Sequence, residues 1–243
     1  MGDTLRGKTA IYAVVAGCAF GVIWVMPSVA AFLRNDAAGT SPRAEAPPRA
    51  AAPSSYAPLP WAEGQWRQHR IVERDGRATV TTLAVVKHDA GGTWIEQQHT
   101  SFDGRTQLVK VLFAEQPSTP EEAYDAARAI TVRLEDGSTF SAEFASGSAE
   151  DEAKKEFAAT IVSMAGLSGA VHDPTQDVSA ASGRFCGCKR MTAPVARGPG
   201  GKRIAGWYHP LVPLGGIVRG ESPDGESTLE LVDFGVTGAT NHF

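Results

Sequence analysis

The chain has 243 residues, 42% of them hydrophobic and 21% charged, with a formal net charge of −4. That balance suits a globular core and supplies no broad basic field, so a nucleic-acid partner held through its phosphates is disfavoured. Three cysteines are too few for a disulfide framework, and a domain of about 180 residues buries enough surface to do without one.

Residues 1–8 carry Arg6 and Lys8, offset by Asp3, and from Thr9 to Leu33 no residue is charged. Such a run exceeds the ~20 apolar residues that cross ~30 Å of hydrocarbon as a helix. The basic flank favours a cytoplasmic N-terminus, so 9–33 reads as the single-pass anchor of a bacterial inner-membrane protein with its remaining chain in the periplasm. Two processed forms compete with an uncleaved anchor. Ser28-Val29-Ala30 offers the small residues of a signal-peptidase site. Val15-Ala16-Gly17-Cys18 resembles a lipobox, with Cys18 as the acylated residue.

Residues 34–60 turn to Ala, Pro, Ser and Arg, with prolines at 42, 47, 48, 53, 58 and 60. Proline locks φ and removes a donor, so this stretch reads as an extended spacer. A β-rich domain is expected over 61–243. Gln65 to Arg74 and the β-branched run Thr79 to Lys87 flank Asp75-Gly76, a hairpin signal. Thr93 to Phe102 and Thr106 to Ala114 flank Asp103-Gly104 in the same way, giving a four-strand meander. Ser118-Thr119-Pro120-Glu121-Glu122 supplies a cap, a first-turn proline and two acids, which predicts a short helix over Glu121 to Ala129. Another hairpin, Ile130 to Glu135 and Thr139 to Ala145, follows around Asp136-Gly137.

Glu150 to Leu167 has helical periodicity, with Phe157, Ile161 and Met164 on one side. A polar loop through His172, Asp173 and Pro174 precedes strands at Gly183 to Thr192, Arg203 to His209, Gly216 to Glu221 and Ser227 to Phe234. The sum is an α+β domain: a curved, mostly antiparallel, half-barrel-like sheet with two helical insertions, preceded by one transmembrane helix.

No nucleophile elbow, phosphate loop, metalloprotease helix or Cys-x-x-Cys pair is present, so no catalytic residue and no cofactor is assigned and the chain reads as a non-enzyme. The sharpest chemical candidates are Cys186 and Cys188, a thiol pair suited to copper(I) or zinc if His172, His209 or His242 joined it. The alternatives are a bridge between the two thiols in an oxidising compartment, or two small side chains on one face of a strand.

The segment Trp207-Tyr208-His209-Pro210-Leu211-Val212-Pro213-Leu214-Gly215-Gly216-Ile217-Val218-Arg219 is the most distinctive. With Leu229 to Gly235, Thr237-Gly238-Ala239, Gly64-Gln65-Trp66 and Thr93-Trp94-Ile95-Glu96, it resembles a group of uncharacterised proteobacterial envelope proteins. More distantly it resembles the periplasmic lipoprotein carriers. The resemblance covers most of 61–243 and implies a half-open barrel around an apolar cavity, without catalytic residues. The function expected is a membrane-anchored periplasmic binding module for an acyl chain, an apolar peptide or a protein partner. Its groove would be lined by Val85, Trp94, Val111, Phe113, Val218 and Leu231 and closed by Phe157 and Ile161. The alternative is a structural or accessory subunit of an envelope assembly, and a Cys-dependent copper or redox protein comes third.

Overall fold

Three hairpins are closed by the same pair of backbone hydrogen bonds, the third with one more residue between its ends. Glu73 N donates to Arg77 O and Gly76 N to Glu73 O, both at 2.8 Å; Ser101–Arg105 with Gly104 and Ser222–Ser227 with Gly225 repeat the pair. Gly76, Gly104 and Gly225 have φ of 85°, 82° and 70°, which a residue with a Cβ adopts only at a cost. In the first two, the arginine after the glycine also clamps the turn aspartate, Arg77 on Asp75 and Arg105 on Asp103.

The computed structural model describes residues 48–118, 120–133, 137–144, 158, 170–194, 203–222 and 225–243, all within the unit Pro48–Phe243. The strands are β1 (Pro48–Ala50), β2 (Trp66–Glu73), β3 (Ala78–Asp89), β4 (Gly92–Thr100), β5 (Thr106–Phe113), β6 (Ala127–Arg133), β7 (Thr139–Glu143), β8 (Ala170–Ala180), β9 (Gly183–Pro194), β10 (Arg203–Tyr208), β11 (Ile217–Glu221) and β12 (Ser227–Gly235), with helix α1 at Pro120–Ala126. All twelve join one open, curved sheet, antiparallel but for β1. The strands β2 to β7 run in chain order from the centre to one edge. The chain then supplies the other edge as β8–β9 and returns through β10 and β11 to β12, which pairs with β2. At that second edge β8 lies against β11 and β12, so the sheet curls over its own face.

Three expectations need correction. The spacer does not run to residue 60: Pro48–Ala50 pairs in parallel with Arg184 and Phe185, on the margin of β9 that β10 leaves uncovered beyond Lys189. Beyond β1, Tyr56 OH donates to Gly187 O at 2.6 Å and receives, through its own carbonyl, the Tyr208 hydroxyl at 3.1 Å. The loop placed at His172–Pro174 lies within β8. The helix expected through Ala129 ends at Ala126, because Ala127 to Ala129 pair with Phe113 and Leu112. Pairing overrides alanine's helical preference there. Of the two helical insertions, α1 has only seven residues; the second lies outside the described residues except Ala158, which is helical and fully buried.

The segments 1–8, 9–33 and 34–47, with Cys18, also lie outside the described residues. Among the described residues no helix is long and apolar enough to cross a membrane.

Candidate functional site

Side chains alternate across a strand, so the ladder registers sort residues onto two faces of the sheet. On the buried face of β2–β6, Val85, Ile95, Val111 and Ile130 form one row across four strands, all nearly or wholly inaccessible. Phe113 lies beside this row, and the Trp61 ring meets it edge-on at 5.7 Å. Removing each such side chain from water is worth about 1.5–3 kcal/mol. A second apolar cluster gathers Ala50, Val178, Phe185, Cys188, Val212, Val218 and Leu231 where the sheet curls.

The residues expected to line one groove therefore divide. Val85, Val111 and Phe113 come together on the buried face, and Val218 and Leu231 meet in the second cluster. Trp94 is misassigned: its neighbours Thr93 and Ile95 are buried, whereas Trp94 sits on the opposite face with the Lys110 ammonium 5.2 Å from its ring. Phe157 and Ile161 lie outside the described residues.

Between the apolar groups the buried face turns polar, which sequence reasoning missed. Arg67, His69 and Thr81 are all buried, Arg67 to 2% exposure. Arg67 Nη1 donates to His69 Nδ1 at 3.1 Å, and His69 Nε2 lies 2.8 Å from Ile217 O. A guanidinium only donates, so Nδ1 accepts and the imidazole proton sits on Nε2, aimed at the carbonyl. Burial, reinforced by the adjacent positive charge, holds the His69 pKa well below the usual histidine range. Burial also pushes the Arg67 guanidinium down to about 9, which leaves it cationic at neutral pH. Thr81 Oγ1 continues the line to His99 Nδ1 at 3.0 Å. The signal available in the sequence was the period-2 placement of Gln65, Arg67 and His69, polar residues on what became the core face.

The segment singled out as distinctive forms β10, β11 and a buried connection. His209 N donates to Gly216 O at 2.8 Å, closing the loop at its base. Leu214 has φ of 56°, an unusual conformation for a side-chain-bearing residue, and is almost inaccessible. Gly216 is obligatory in a different sense: a Cβ there would fall 2.1 Å from Tyr208 Cε2. His209 accepts from Leu211 N at Nδ1 and reaches Ala51 O through Nε2 at 3.2 Å.

The thiol pair does not share a face. Asp177 on β8 faces two residues of β9, Cys186 and Gly187, and this bulge breaks the alternation. Cys188 is buried in the second cluster with its pKa pushed up to about 12 by that burial, whereas Cys186 is half-buried. Both are free thiols. His209 is spent on backbone groups, His242 is bonded to Glu96 on the far face, and His172 stands opposite Arg190. Among the described residues no group of three or more His, Cys, Asp or Glu is arranged to hold a metal ion.

Fold and site together define a predominantly antiparallel β domain, one curved sheet with a buried face both apolar and polar. No protein-family model matches the chain, and no curated protein matches it significantly. A solved structure of a hypothetical protein from Chlamydia trachomatis is similar at a TM-score of 0.36 with 9% identity, over 75% of this chain and 94% of that one. Likeness at that level transfers neither fold nor function.

Proposed function

We propose that the chain is a non-catalytic binding module of the bacterial envelope, held at the inner membrane by residues 9–33. Its half-barrel-like sheet accommodates the acyl chain of a lipid, or of a lipid-bearing partner, against the buried face. The observation that carries this reading is the row Val85–Ile95–Val111–Ile130 with Phe113 beside it. An uninterrupted apolar row across four strands of a curved sheet suits a long, unbranched hydrocarbon chain. The periplasmic exposure expected of the domain is where such a chain needs shelter from water.

Native mass spectrometry and solvent extraction of the purified protein test it. The expected result is a co-purified acyl lipid that exchanges with a fluorescent long-chain fatty acid. A protein that carries nothing apolar and leaves that fatty acid unbound overturns the reading.

A further inference from the structure

The opposite face of the same strands carries a small cleft of different chemistry. Two rows cross β2, β3 and β4 in register: Trp66, Ala84 and Glu96, then Gln68, Thr82 and Gln98. The stretch after β12 folds back over them, and Gly238, Ala239, Thr240 and His242 form a facing wall, leaving a half-open space of about 210 Å³. The wall is fastened at several points. Ala239 N donates to Gly64 O at 2.9 Å, the Trp66 indole N–H to Thr237 O at 3.2 Å, and His242 to Glu96 through both its ring and its backbone. Gly235 leaves room for the indole, since a Cβ there would lie 2.5 Å from Trp66 Nε1.

We propose that this cleft binds a neutral sugar ring. The Glu96 carboxylate in its floor opposes phosphate or carboxylate ligands, and the one imidazole in the lining is already committed to that carboxylate. A metal ion finds no set of three ligating side chains among the described residues. An apolar guest would strand the amides of Gln68 and Gln98 and the hydroxyls of Thr82 and Thr240 without water. Those four groups each donate and accept, which is what vicinal ring hydroxyls require of a site, because each hydroxyl does both as well. Gln68 Nε2 is already held by Thr82 Oγ1 at 3.2 Å, so part of this array is set before any ligand enters. Trp66 completes it with a flat apolar surface suited to the C–H face of a pyranose, its indole N–H being held by Thr237 O. The cleft lies below the ~300 Å³ at which drug-sized pockets begin, and matches one ring rather than an extended molecule. The acyl-chain reading concerns the other face, so either stands without the other.

Saturation-transfer NMR of the full chain, kept in a zwitterionic detergent without a sugar headgroup, tests the proposal with glucose and N-acetylglucosamine as probes and inorganic phosphate, acetate and a free Thr237–Phe243 peptide as comparisons. The expected result is transfer to the ring protons of at least one sugar, with a Kd on the order of 1 mM. Gln98→Leu should weaken binding at least about tenfold while the melting temperature holds, and Trp66→Phe, which also releases Thr237 O, should weaken it at least as much with some loss of melting temperature. Absence of sugar binding by folded protein, sugar binding undiminished in both variants, or binding of phosphate, acetate or the peptide in its place would each overturn it.

Discussion

Glu96 and His242 stand 146 positions apart and meet twice: the carboxylate of Glu96, 2% exposed, receives both the ring Nδ1 and the backbone N–H of His242. The pair pins the stretch after β12 to the sheet. His242→Ala leaves the carboxylate with the backbone donor alone. Because the imidazole is 42% exposed, the expected loss is about 1 kcal/mol rather than the full worth of a buried pair. Adding Glu96→Gln should recover part of that loss. Urea denaturation of the four members of the cycle reads the coupling, and strict additivity would sink the interaction.

Three histidines, His69, His99 and His209, have pKa values held below the usual 6.5 by burial. The unfolded chain therefore binds more protons than the folded one below about pH 6.5. Stability should be at its plateau above that pH and fall as the pH drops beneath it toward the depressed folded-state values. His69, whose pKa is lowered furthest because the Arg67 charge adds to burial, should dominate. Melting curves at pH 7.5 and 5 should show a smaller acid-induced drop for His69→Gln than for the parent chain, and equal drops would contradict the assignment.

Gly216→Ala combines a φ of 71° with a Cβ 2.1 Å from the Tyr208 ring. Neither can relax without moving the base of the β10–β11 connection. A loss above about 2 kcal/mol is expected by denaturant titration. Gly76→Ala is the control: its φ of 85° is as unfavourable, but nothing lies within 4 Å. It should cost about 1 kcal/mol. If the two variants were equally stable, the packing against Tyr208 would be immaterial.

Cys188 is fully buried and its thiol is pushed up to about 12. Since the thiolate is the reactive species, iodoacetamide at neutral pH should leave Cys188 unmodified in folded protein and label it only after denaturation, as read by peptide mass mapping. Alkylation of Cys188 at the rate of a free thiol would mean that the second cluster opens under native conditions.

The strands from β2 to β5 were legible because local chemistry agreed with the final pairing: β-branched runs flank Asp-Gly turns, and the turns dictate the register. Where the two disagree, the sequence misleads. Pro48 can open a strand because β1 lies at a sheet margin, the position where a missing donor is tolerated, yet it sits in a run whose prolines read as spacer. Pro174 hides β8 for the same reason. Ala127 to Ala129 favour helix locally and are drawn into the sheet by Phe113. Beyond the strands, the polar line through Arg67 and His69 depends on contact with Ile217, and the wall over Glu96 on contact with His242. Both are long-range meetings that no window along the chain contains.

The seam between β2 and β12 bears on how the molecule is made. Glu73 pairs with Ser227 and Trp66 with Gly235, so the central strand of the sheet acquires its second neighbour from nearly the other end of the domain. A growing chain must carry β2 with one bare backbone edge through almost the whole of its synthesis, a state prone to stray strand addition. The ion pairs Arg70–Glu230 and Arg74–Glu226 across this seam join only after β12 has emerged. Refolding should accordingly be slow for a domain of this size, and its rate-limiting step should be the joining of this seam.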